Sequence, residues 1–143
     1  MAKVLNITEA VTIALHSMII IANDKGAQVN VNSISESISS SRFHVAKVLQ
    51  KLVKEGFLGS NRGPAGGFYL KIKPAEITML EIYEAIEGKI TIAECPIDHD
   101  ICPFGSCVFD ELTIDITRNF VTFLKSRTLE DYRDSRTVHR RIK

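Results

Sequence analysis

SISESISSSRFHVAKVLQKLVKEGFLGSNRGPAGGFYL, residues 33–70, is the stretch from which the fold can be read. A short helix is expected over 34–38, with Asn32 or Ser33 as its cap. Ser39-Ser40-Ser41 is then a polar turn. Over 41–55, Val45, Val48, Leu49 and Leu52 recur at helical spacing and Gly56 supplies the stop. Two short helices joined by a tight polar turn are the skeleton of a helix-turn-helix. Phe57-Leu58 and Phe68-Tyr69-Leu70 read as strands, and 60–67 between them is too rich in Gly and Pro for anything but a hairpin tip. The expected fold class is therefore mainly α with a small β-hairpin wing: a winged helix-turn-helix, joined to a long dimerisation helix.

Outward from this stretch, Thr8 caps a helix over 8–22, where Val11, Leu15, Met18, Ile19 and Ala22 mark a buried face and Glu9 suits the positive end of the helix dipole. Asn23-Asp24-Lys25-Gly26 is a turn, and 27–31 a short extended piece. Downstream, Thr78 caps a helix over 79–87 that Gly88 ends. An irregular cysteine segment follows. Phe109, Leu112, Ile116, Phe120, Phe123 and Leu124 then form an apolar stripe at helical spacing. Packing within one subunit would account for the stripe, but a helix so late in a small chain suits a subunit interface better. The expected organisation is a winged helix-turn-helix domain over 1–90, a cysteine loop over 91–108, a dimerisation helix over 109–134 and a basic, frayed tail over 135–143.

At 143 residues the chain has room for one domain and an assembly element, and 45% hydrophobic content with 24% charge is that of an ordinary globular protein. No apolar run reaches the roughly 18 residues of a membrane span. A charged-then-apolar leader is absent, so a cytoplasmic location is expected. The formal net charge of +1 conceals a split. Residues 39–71 carry Arg42, Lys47, Lys51, Lys54, Arg62 and Lys71 against Glu55 alone. Residues 90–117 carry Glu94, Asp98, Asp100, Asp110, Glu111 and Asp115 with no Lys or Arg. The first segment suits a polyanion, the second a cation or a protein partner. No phosphate loop, nucleotide-binding glycine motif or nucleophile motif is present, so an enzyme is not expected. His16, His44 and His139 stand alone in sequence.

The second helix of such a motif presents the residues near its N-terminus to base edges. Here these are Ser40, Ser41, Arg42, His44 and Lys47. Arg can bond guanine in bidentate fashion, and Ser can serve several bases. Arg62 at the wing tip can enter a narrow minor groove. A merely solvated basic helix face is the plainer account of the helix charges; the helix-turn-helix spacing and the Gly-rich wing favour duplex DNA as the partner.

Cys95, Cys102 and Cys107 are spaced C-x6-C-x4-C, with Pro96, Pro103 and Gly105 denying the segment regular structure. An odd, clustered set of thiols favours metal or redox chemistry over a disulfide framework. Thiolates suit an iron–sulfur cluster or zinc, but structural zinc sites use tighter cysteine pairs. Three thiolates leave a fourth position. Candidates are Asp98, His99, Asp100 and Asp110 nearby, or Glu9, Thr12 or His16 from a partner's first helix. Three unrelated thiols, or one reversible disulfide plus a spare, is the alternative.

With these features together the chain resembles the IscR, NsrR and CymR regulators, the Rrf-two family. The likeness rests on Ala14-Leu15-His16, the 41–52 helix, Arg62-Gly63-Pro64-Ala65-Gly66-Gly67-Phe68, residues 80–86 and the three cysteines, and covers roughly residues 6–130. It implies a two-fold homodimer joined by the helix after the cysteines, and a palindromic operator bound by recognition helix and wing. It implies an iron–sulfur cluster, [2Fe–2S] or [4Fe–4S], on Cys95, Cys102 and Cys107 that responds to iron status, nitric oxide or redox state. Members resembling IscR carry His three residues after the third cysteine, where this chain has Asp110. Members resembling NsrR use an acid early in the first helix, where alignment on Ala14-Leu15 sets Thr12 and another alignment Thr8 or Glu9. CymR-like members lack the triad and sense through a partner enzyme. The expected function is a transcription regulator, with repression as its output, that senses iron–sulfur, redox or nitric oxide status; a cluster-free thiol switch on DNA is the alternative.

Overall fold

Side-chain caps set where the helices begin in the computed structural model, which describes residues 7–24, 28–92, 103–109 and 111–133. Helix α1 (Glu9–Asn23) starts where the Thr8 hydroxyl accepts the Val11 N–H at 3.2 Å. Helix α2 (Val31–Ile38) begins earlier than the expected 34–38, because Asn30, rather than Asn32 or Ser33, is its cap: the Asn30 amide oxygen accepts the Ser33 N–H at 2.8 Å. Ser39 then takes the left-handed conformation, φ 54° and ψ 43°, which turns the chain sharply between the two helices of the motif. Ser41 caps helix α3 (Arg42–Lys54) by accepting the His44 N–H at 3.1 Å.

The wing is a two-stranded antiparallel sheet of β1 (Leu58–Asn61) and β2 (Gly67–Leu70), with Leu58 opposite Leu70 and Ser60 opposite Phe68. Both strands run further toward the tip than the apolar residues mark, since Ser60, Asn61 and Gly67 pair through their backbones. The extended piece before α2 supplies a single bridge to this sheet, with Val29 N–H donating to Phe68 O at 3.1 Å and Phe68 N–H to Val29 O at 2.9 Å. This bridge requires Gly67, where a Cβ would stand 2.7 Å from the Val29 carbonyl oxygen.

Helix α4 (Met79–Glu87) opens with a complete capping box between Thr78 and Glu81. Helix α5 (Leu112–Lys125) stops well short of residue 134. The chain then returns to the winged domain: Arg127 O accepts the Met79 N–H at 2.9 Å, Leu129 N–H donates to Ile77 O at 2.8 Å, and residues Leu129–Tyr132 form a 3-10 turn. One core gathers these elements. Val11, Ala14 and Met18 of α1, Ile34 of α2, Val45, Leu49 and Leu52 of α3, Leu58 of β1, Ile82 of α4 and Leu129 are all buried within it. This core holds α3 rigidly from behind, so its opposite face can be offered to a partner. No helix among the described residues is long and apolar enough to cross a membrane.

Candidate nucleic-acid interface and cysteine segment

The start of α3 is built from three directions. Ser41 closes one of its free N–H groups, and the remaining first-turn amides keep the positive pole of the helix dipole available to an anion. From α2, Asn32 Oδ1 accepts a hydrogen bond from Arg42 Nη1 at 3.2 Å. From α1, Glu9 Oε1 accepts the Ser40 hydroxyl at 2.9 Å and stands 3.5 Å from His44 Nδ1. Ser41, Arg42, Phe43 and Lys47 are exposed, while Ser40 and His44 are half-buried by these contacts. No acid lies on α3 itself, and its last turn adds Lys51 and Lys54. Lys51 reaches sideways instead, donating to Ile86 O at 2.6 Å and so satisfying a carbonyl at the C-terminal end of α4. Arg62 is exposed at the wing tip, beside Gly63 with φ 106°.

Five of the six residues singled out for DNA therefore lie together around the N-terminus of α3, and Arg62 lies apart on the wing. Sequence reasoning missed Phe43 and the part played by Glu9. Phe43 falls out of phase with Val45, Val48, Leu49 and Leu52, a signal that its ring is not in the core. Glu9 meets Ser40 across 31 positions of sequence, which no local pattern displays.

Of the candidate ligands, Cys107 is exposed in the 103–109 segment. Cys95, Cys102, Asp98, His99, Asp100 and Asp110 lie outside the described residues. Glu9, Thr12 and His16 line one groove of about 380 Å³ between α1 and the end of α2. Within it the Thr12 hydroxyl donates to Thr8 O at 3.0 Å, and His16 Nδ1 lies 2.7 Å from Thr12 O. Among the described residues no three metal-binding side chains converge. Downstream, α5 packs on α4 through an edge-on pair, Tyr83 and Phe120, with ring centres 5.2 Å apart. Burial, and secondarily the charge of Glu87, raise the Tyr83 pKa above the ordinary phenol value.

Residues 7–134 match the Rrf2 family profile, described as an iron-dependent transcriptional regulator. The chain belongs to the Rrf2 family of transcriptional regulators. It is similar to the transcriptional regulator IscR of Photorhabdus laumondii, 27% identical over 133 residues that cover 92% of this chain and 76% of that one. It is also similar to NsrR of Geobacillus kaustophilus, 31% identical over 74 residues, 52% of this chain and 50% of that one. Among solved structures it resembles CymR, the global cysteine regulator of B. subtilis, with a TM-score of 0.75, 29% identity and coverage of 89% of this chain and 95% of that one. The Rrf2 fold is thus the winged helix expected from residues 33–70, and the chain is a DNA-binding regulator rather than an enzyme.

Proposed function

We propose that this Rrf2 regulator is a two-fold homodimer that represses transcription from a palindromic operator, its affinity governed by an iron–sulfur cluster on Cys95, Cys102 and Cys107. Ser40, Ser41, Arg42, His44 and Lys47 are assigned to the major groove and Arg62 to the minor groove. The observation that carries the sensing role is the cysteine triad placed directly before α5, in a chain whose winged helix is that of DNA-binding regulators. The exposed Cys107 thiol fits such a group, as do the carboxylate, hydroxyl and imidazole donors in the α1 groove. Glu9, Thr12, His99 and Asp110 are the candidates for a fourth ligand. A cluster supplies a redox-sensitive cross-link among thiolates.

The chain's own residues offer a route from that segment to DNA. Helix α5 packs on α4, α4 on α1, and α1 reaches the recognition helix through Glu9. A two-fold regulator must hold its recognition helices about one DNA turn apart, and altering their spacing removes the gain of two-point binding. The second reading is a cluster-free thiol switch acting on DNA, for which the clustered thiols and the exposed Cys107 would suffice.

Anaerobic purification with an ultraviolet–visible spectrum and iron and sulfide assays separates the two. Broad visible absorbance that Cys102→Ala abolishes, with iron and sulfide in fixed ratio to protein, is the expected result. A colourless, iron-free protein whose duplex affinity changes on oxidation would establish the thiol switch instead.

A further inference from the structure

Phe43 is 82% exposed on the second residue of α3, on a helix whose other outward side chains include Arg42, Lys47, Gln50 and Lys51. A bare aromatic ring in water forgoes the gain of burial, so its place on a polar face calls for a partner. The other large exposed hydrophobic residues lie elsewhere. Ile92, Phe104, Val108, Phe109, Leu112 and Phe123 accompany the cysteine segment and α5, while Ile7 precedes α1 and Tyr69 lies on β2, so none of them shares α3 with Phe43. Its surroundings are cationic and hydroxylic: Ser41 and Arg42 precede it and Lys47 stands one turn on. Side chains on a helix lean toward the N-terminus, so the ring covers the end of α3 that enters a groove. Charge complementarity makes that partner DNA. On the floor of a major groove the apolar group within reach of a recognition helix is the C5 methyl of thymine.

We propose that Phe43 is a specificity-determining residue whose ring contacts a thymine methyl in each half-site. This rests on α3 being the recognition helix. Arg42 and Ser40 are tethered to Asn32 and Glu9, so the start of α3 is held while the ring projects from it. The contact adds discrimination for the methyl of T·A at one position, which no hydrogen bond from Arg42, His44 or Lys47 senses.

The test uses the full chain purified anaerobically. Duplexes are enriched from a random pool, and each thymine of the tightest binder is replaced by deoxyuridine, which removes only the methyl. Wild type is expected to lose about three- to tenfold in affinity for each half-site substituted at one thymine position. Phe43→Ala is expected to bind the parent duplex more weakly and to be indifferent to that replacement, whereas Phe43→Leu retains part of the response. Since the ring is exposed, Phe43→Ala will fold, which circular dichroism checks. Equal sensitivity to deoxyuridine in wild type and Phe43→Ala overturns the proposal while leaving α3 as the reader. Unchanged duplex binding by Phe43→Ala with altered self-association in sedimentation also overturns it, assigning the ring to a protein contact. If wild type enriches no duplex, the reading of α3 fails and this assignment falls with it.

Discussion

The winged domain and the region around α5 treat their apolar side chains in opposite ways. In residues 7–92 the helical and strand periodicities are spent inward: Met18, Ile34, Val45, Leu49, Leu52, Leu58 and Ile82 are buried in one core. In α5 only Leu124 is buried; Phe120 is half-buried against Tyr83, while Leu112 and Phe123 stay exposed. Phe109, Leu112 and Ile116 line an open groove of about 320 Å³ with Thr113 and Thr117. The first region is stabilised by its own chain. Among the described residues the second carries a stripe that α4 and the core cover only in part, and under the proposed function the remainder is assigned to a second copy. A regulator needs this division: a firm reading head, and a joint whose geometry a signal can alter.

The largest expected effects test that division directly. Leu49→Ala removes a fully buried side chain from the centre of the reading head and should cost about 2–5 kcal/mol of unfolding free energy in urea titration. Leu112→Asp should cost much less, because the side chain is exposed and an acid suits the first turn of α5. Its effect should appear instead in sedimentation, as dissociation of the proposed homodimer, and in weaker binding of an enriched duplex. A Leu112→Asp protein that remains dimeric would place the subunit contact elsewhere and break the comparison.

Residues 33–70 disclosed the fold because each element there is punctuated locally: Ser41 begins α3, Gly56 follows it, and the glycines of 60–67 mark the wing tip. The cap of α2 was misplaced because Asn30, Asn32 and Ser33 are all competent, and only the accepting geometry at Ser33 N–H distinguishes Asn30. The length of the last helix was misjudged for a different reason. Residues 127–129 are held by bonds to Ile77 and Met79, some 50 positions away, and periodicity is blind to such ties. That basic and hydroxylic side chains gather at the start of α3 was legible by type and position. The tether from Glu9 to Ser40 and His44 was not.

That tether yields a smaller prediction, between the two regions. Glu9→Ala should change folding stability by less than about 1 kcal/mol, since the carboxylate is exposed and its contact with His44 is screened. Removing a negative charge beside the start of α3 should raise affinity for a scrambled duplex. Freeing Ser40 and His44 should lower the preference for an enriched duplex over the scrambled one. Titrating both duplexes at two salt concentrations separates the effects, because the charge term is the one that salt weakens. An unchanged preference would leave Glu9 as a surface charge with no hold on the reading head.

The smallest effect probes the seam between α4 and α5. Unfolded, Tyr83 loses its proton near pH 10, whereas in the fold burial first, and Glu87 second, keep it protonated to higher pH. The unfolded chain therefore releases this proton before the folded chain does. The stabilisation linked to the neutral phenol is fully present below about pH 10 and is lost as pH rises through the higher folded value. Tyr83→Phe keeps the ring against Phe120 and removes the titration, so its urea midpoint should fall less than that of wild type above pH 10, with the two proteins alike at pH 8. Parallel decline in both would mean that the phenol titrates alike in the folded and unfolded chains.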